Sequence, residues 1–429
     1  MSSECHQGCL QTLFCLFLSC LRRLHLISKN SYHKHCACDL KLEAISFNHD
    51  TSSLSGDAMN LRKNFTQPIT APEWTVGKTL PTDSPAAYAI KETQGQKIII
   101  KAKFTVGSNN VTKAEVRAKG GGVLGSLDPQ LVNFAGGVSV PAFVSFELHH
   151  HSIGAAGIKR EDIIWDWEFR CCGGSDWEPL QTTKHRIYII LEEPKLPWKQ
   201  QPIADTQNPW TEALDHACVW AAGKQNRDDA ATAITKAINA NLGLVYDNAI
   251  GASHYTSGGL AVFELTQFLA YVTIGTGLGN IVNCTDCATI TTTFSNLVGC
   301  DLHASKMGNF FHLTPFRGIG AAGFACPGFG CGFSYHEVAW KGGHGNGDPL
   351  FDACLRIDGD TNPWAAPYAE QFPVNIVFST NPGAALPLAL PFNAQSYKER
   401  ICTNDAAGIG SCAPIGPWAS SSNGRRPVK

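Results

Sequence analysis

Between Ala86 and Glu193 the chain alternates apolar and polar positions in short runs broken by Gly, Asn and Asp. The runs are AAYAIK (86–91), KIIIKAKF (97–104), KAEVRA (113–118), VSVPAFVSFEL (138–148), DIIWDWEF (162–169) and HRIYIILE (185–192). A period of two sends successive side chains to opposite faces, so each run predicts a strand with one buried face. Past them, PKLPWKQQPIADTQNPW (194–210) carries four prolines and predicts an interdomain linker, drawn at 196–209. From there apolar positions recur at three and four. Trp210–Ala222, Arg227–Leu242 with Asn226 as its cap, and Phe263–Ile274 predict helices.

Six strand runs separated by turn residues, with no helical period among them, predict an antiparallel β-sandwich of immunoglobulin-like type over residues 80–195. The helical stretch that follows makes the chain a multidomain α+β protein. Its second domain is expected over 210–365 and a C-terminal extension over 366–429, ending in a flexible tail, PWASSSNGRRPVK.

Chemistry begins at NCTDCATITTTFSNLVGC (283–300). Propensity reads its β-branched ATITTTF (288–294) as a strand. Spacing argues for a helix, because Cys284, Cys287 and Ala288, Thr291, Phe294 and Ser295, and Val298 fall on one helical face. Asn283 is a suitable N-cap and Gly299 a suitable stop. Such a helix sets Cys284 in its first turn, where unpaired N–H groups and the positive dipole end favour thiolate, the nucleophilic form.

A cysteine nucleophile needs a base, and the base needs an orienting group. GFSYHEVAWKGGHGNGDPLFDACLRID (332–358) supplies both as a predicted hairpin. If the turn GGHGNG is centred on His344, His336 lies directly opposite Asp352, within side-chain hydrogen-bonding reach. Asp358 falls opposite position 330 and is the weaker partner.

These residues resemble the transglutaminase-like cysteine enzymes of the papain-like structural class. Cys284-Thr285-Asp286-Cys287-Ala288 is similar to the C-x-D-x-A pattern of many bacterial members, SYHEVAW with His336 to the family's histidine strand, and LFDAC with Asp352 to its aspartate strand. The resemblance spans roughly 205–360. It departs in Glu337 and Val338 after the histidine, in a Gly- and Cys-rich insertion at 318–332, and in the absence of Pro after Asp352. It implies acyl transfer on an amide of a protein or peptide by Cys284, His336 and Asp352, with neither metal nor organic cofactor. Bacterial relatives point to hydrolysis, as a peptidase or amidase, ahead of protein cross-linking.

Charge narrows the partners. A formal net charge of −2, with only 16% charged residues, gives no basic field for nucleic acid. The 17 cysteines point to an oxidising setting, so an extracellular or cell-surface protein of bacterial or viral origin is expected. Residues 1–58 form a Cys-rich leader, either signal-like, through the 12 apolar-rich positions of LQTLFCLFLSCL (10–21), or an extension ahead of a start at Met59. That stretch is too short to span a bilayer.

Rival readings are open at this stage. Cys287 is a second candidate nucleophile. Cys284, Cys287, Cys326 and Cys331 have spacings tolerable for a zinc site, while Cys326 and Cys331 also suit a disulfide. GIGAAG (318–323) matches a dinucleotide fingerprint but runs into Pro327 and not a helix. His149–His151 is a weak metal candidate, because strand neighbours point apart. NFT (64–66), NVT (110–112) and NCT (283–285) match glycosylation acceptors, and a sugar on Asn283 would crowd Cys284. The alternative class is a non-enzymatic surface or adhesion protein whose C-terminal domain is stapled by disulfides or zinc.

Overall fold

The computed structural model describes residues 38–49, 56–107, 110–149, 153, 157–171, 176–257, 261–307, 311–343, 347–358, 366–368, 370–377, 397–401, 414–417 and 424–429. The signal-like stretch, His150, His151 and His344 lie outside the described residues.

The N-terminal half is built from β1 (Leu40–Ser46), β2 (Trp74–Thr75), β3 (Pro85–Ala89), β4 (Ile99–Val106), β5 (Lys113–Gly120), β6 (Leu127–Ala135), β7 (Val138–Val140), β8 (Val144–Glu147), β9 (Lys159–Cys171) and β10 (Glu178–Ile190). In β4 burial alternates strictly, as its sequence dictates. The hydrogen-bonded order is β2-β1-β4-β7-β6-β5-β9-β10-β3, with β8 also on β4. Where an immunoglobulin-like sandwich calls for two separate sheets, all ten strands belong to one sheet, nine on a single path and β8 branching from β4. The closing β3–β10 pair is parallel, against the antiparallel expectation.

The sheet curls round its own core, because strands far apart in that order meet through their rings. Phe104 of β4 and Phe146 of β8 both lie edge-on to Trp167 of β9, at 6.0 and 5.5 Å between centroids. Three strands escaped the sequence reading: β1, the two-residue β2, and β6. β6 has Pro129 inside it, which breaks the apolar pattern. β1 comes from residues assigned to the leader, yet it lies between β2 and β4, buries Leu42 and Ile45, and is tied by the Cys38–Cys171 disulfide.

The second half forms its own hydrophobic core round four helices: α1 (Thr211–Trp220), α2 (Arg227–Asn241), α3 (Leu265–Ile274) and α4 (Cys284–Leu297). Beside them is a five-stranded sheet. Its strands are β11 (Leu302–Met307), β12 (His336–Lys341), β13 (Pro349–Phe351), β14 (Val374–Val377) and β15 (Pro414–Pro417), in the order β14-β13-β12-β11-β15. Two of these strands lie past residue 365, so the region expected as an extension completes the sheet that carries the histidine. The proline-rich segment 196–209 is packed. Trp198 is fully buried and its indole N–H donates to Thr293 O of α4 at 3.0 Å.

α4 packs on β12 and β11 and against α1 and α2. All 14 of its residues are buried. Burial explains why a β-branched segment is helical: small threonines let neighbours approach closely, and tertiary packing overrides propensity. Thr289 Oγ1 donates to Thr285 O at 2.7 Å, satisfying its hydroxyl within the helix.

Candidate active site

The start of α4 is fixed by two side chains. Asn283 is the N-cap, accepting from Asp286 N at 3.0 Å, and Asp286 Oδ2 accepts in return from Asn283 N at 3.2 Å. The Asp286 carboxylate also accepts from His254 N at 2.7 Å, Tyr255 N at 2.9 Å and Thr256 Oγ1 at 3.4 Å. Burial pushes its pKa up while these backbone donors pull it down, with a net rise. One carboxylate thus locks the loop at 254–256 to the helix end that carries Cys284. Asn283 Nδ2 donates to Gly251 O at 2.9 Å, which leaves no room for a sugar on that nitrogen. Gly251 has φ +67°, and a Cβ there would lie 3.1 Å from the Phe329 ring, so the cleft wall requires glycine at this position.

His336 opens β12 and is fully buried. Its Nε2 donates to Asp352 Oδ2 at 2.7 Å. The Asp352 carboxylate is itself held: Tyr397 O–H donates to Oδ2, while Cys354 N at 2.7 Å and Leu355 N at 3.3 Å donate to Oδ1. The imidazole lies between the rings of Phe333 and Tyr397, at 5.8 and 6.2 Å between centroids.

The pairing differs from the predicted register. Ala339 faces Phe351 and Trp340 faces Leu350, two residues further along the partner strand than a turn centred on His344 would give. An even shift keeps every side chain on its face. Asp352, just past the end of β13, therefore meets His336 diagonally instead of directly opposite.

Burial alone would lower the pKa of His336. The charge of Asp352, the hydrogen bond to it, and the interaction with Cys284 outweigh burial and raise it to about 10. Nε2 is taken by Asp352 and Nδ1 has no hydrogen bond of conventional geometry, so Nδ1 is the nitrogen available to the Cys284 sulfur. Cys284, 6% exposed, lines a cleft of about 570 Å³ with Tyr246, Ile250, Phe329, Phe333 and Tyr335. Among the described residues no charged side chain lines that cleft.

No protein-family model and no curated protein matches the chain. Among solved structures it is similar to a transglutaminase. That crystal structure, of red sea bream transglutaminase, aligns with a TM-score of 0.36 and 13% identity, covering 77% of this chain and 60% of that one. The chain spans only about 60% of that transglutaminase's length.

The rival readings separate on geometry. Cys287 is wholly buried and does not line the cleft. Its hydrogen bond with Cys354 pulls its pKa down, but burial and nearby negative groups push it up further. Zinc on Cys284, Cys287, Cys326 and Cys331 is overturned, because Cys326 and Cys331 form a disulfide while Cys284 and Cys287 are free thiols. Gly318 pairs with Leu355 in a short strand, and no helix follows GIGAAG. His149 Nδ1 is bonded to Asp128 at 2.8 Å. Asp358 is buried in the strand Leu355–Asp358, paired with Glu370, while the bond to the imidazole is made by Asp352.

Several site residues gave no sequence signal. Tyr397 lies 45 residues beyond Asp352 in a Pro- and Ala-rich region. Tyr246 sits in a two-residue strand parallel to Ile281–Val282, which delivers it beside Cys284. The phenol of Tyr335 meets Thr285 Oγ1 at 3.1 Å. The Asp286 role was partly visible, since Asn283 followed three residues later by an acid is a capping signature.

Proposed function

We propose that this chain is a cysteine-dependent acyl-transfer enzyme acting on amides of proteins or peptides, with Cys284 as nucleophile, His336 as acid and base, and Asp352 as the orienting group. The observation that carries the reading is the His336 imidazole held by Asp352 on Nε2 with Nδ1 available to Cys284. Sulfur attacks the amide carbonyl and the C=O electrons move to oxygen. The tetrahedral intermediate collapses as Nδ1–H protonates the departing nitrogen, leaving a thioester on Cys284 and a free amine. Neutral His336 then takes a proton from water, or from a second amine, as it attacks the thioester and restores the thiolate. The N–H of Cys284 at the helix start and the Tyr246 hydroxyl in the cleft are the donors proposed for the oxyanion.

Hydrolysis is the favoured outcome, with transfer to an amine the alternative. The aromatic cleft wall, uncharged among the described residues, supports an apolar or neutral segment next to the reacting amide. Two disulfides, Cys38–Cys171 and Cys326–Cys331, support an extracellular or cell-surface setting. Among the described residues no helix is long and apolar enough to cross a membrane.

Alkylation by iodoacetamide with peptide mapping tests the site. Cys284 is expected to react before Cys218, Cys287, Cys300 and Cys354, all buried. His336→Ala should slow it by about 10²-fold, the usual scale for losing a positioned base. Equal labelling of all five, or Cys284 labelling indifferent to His336, defeats the proposal.

A further inference from the structure

Residues 424–429, expected as a flexible tail, are threaded into the protein. Gly424 O accepts from Ala304 N at 2.9 Å, and Arg425 Nε donates to Leu302 O at 2.9 Å. Pro427 O accepts from Phe263 N at 2.8 Å, Lys429 N donates to Phe263 O at 3.0 Å, and Thr266 N donates to Lys429 O at 2.9 Å. Val428 belongs to the core round α4. The segment therefore runs as a strap between β11 and the start of α3.

Arg426 is the centre of that strap and is 2% exposed. Its Nη1 donates to Thr289 Oγ1 at 2.8 Å and pairs with Glu337 Oε1 at 2.7 Å. Thr289 lies on α4 and is bonded back to Thr285 O, one residue from Cys284. Glu337 follows His336 on β12 and is fully buried. One rigid guanidinium thus ties the helix that carries the sulfur to the strand that carries the imidazole. A planar fork with fixed donor directions holds such a separation better than a flexible ammonium.

The structure assigns Arg426 as a positioning residue that sets the distance between Cys284 and His336, an inference that rests on the acyl-transfer reading of that pair. Arg426 is not among the residues that line the cleft, and it holds α4 through Thr289 and β12 through Glu337.

Removing one partner of a buried ion pair strands the other charge and threatens the fold, whereas replacing both with neutral residues of similar size is often tolerated. The test is therefore Glu337→Gln with Arg426→Met in the full chain, read by the iodoacetamide rate at Cys284 and by the His336 ring resonance in NMR. Displacing reacting groups by about 1 Å costs on the order of 100-fold, so the double variant should alkylate Cys284 at least ~10-fold more slowly and shift the His336 resonance. Arg426→Lys keeps the charge on Glu337 but not the fork, and should lie between wild type and the double variant; it serves alone if the double variant does not fold. A rate within about 2-fold of wild type with an unmoved His336 resonance, in whichever variant folds, overturns the inference. An unreactive Cys284 in wild type with a resonance that still moves in the variant defeats the acyl-transfer reading and leaves the positioning role standing.

Discussion

At the scale of single residues, the proton on His336 decides most. Its pKa rises from the ordinary 6.5 to about 10 because Asp352 and Cys284 outweigh burial. A group whose folded pKa lies above its unfolded value favours the protonated folded state. Its stabilising contribution is complete below about pH 6.5, falls as pH rises through that window, and is gone above about 10. Urea midpoints should therefore decline between pH 6.5 and 10 in wild type, and the decline should be shallower in His336→Gln. An identical pH profile in both would show that His336 does not carry the proton assigned to it. On the acyl-transfer reading, the same ionisation keeps an acid ready for the leaving amine throughout the neutral range.

Among elements, α4 governs the site, and Asp286 governs α4. Asp286→Ala removes an acceptor from three backbone N–H groups and one hydroxyl, all near the helix start. Buried donors left unpaired cost about 1–3 kcal/mol each, so the substitution should destabilise by about 3 kcal/mol or more, measured as a shift in denaturant midpoint. Asp286→Asn retains an acceptor and should cost less. The helix was legible because its signals are local: Asn283 as an N-cap, one apolar face and Gly299 as a stop. The meeting of His336 with Asp352 was legible for a different reason. Strand alternation fixes the face even when the pairing slips by two, and the slip seen here, Ala339 on Phe351, is even. What stayed hidden was non-local. Tyr397 reaches Asp352, and Arg426 reaches Thr289 and Glu337, across separations at which no periodicity connects them. β6 was missed because Pro129 and Asp128 interrupt its pattern, and β1 because its neighbours in sequence look like a leader.

For the whole molecule, the segment that sequence marked as a linker is part of the core round α4. Trp198 is fully buried there, with its N–H on the backbone of α4, and its ring lies 6.0 Å from that of Trp210. Removing a buried Trp side chain leaves a cavity worth about 3–5 kcal/mol. Trp198→Ala should therefore lower the melting temperature and, by loosening α4, also slow alkylation of Cys284. A variant that melts as wild type would mean the segment only bridges. The strands past residue 365 extend the argument, because the histidine strand has its sheet completed from both sides by distant parts of the chain.

The total burial of α4 also limits what can reach the sulfur. Cys284 is mounted on an element with no solvent-facing side, and its helix cannot tilt outward to meet a partner without unpacking two helices and a sheet. The approach must be made by the other molecule. On the acyl-transfer reading proposed above, its amide arrives on an extended stretch of main chain or a long side chain that enters the cleft lined by Phe329, Tyr335 and Cys284.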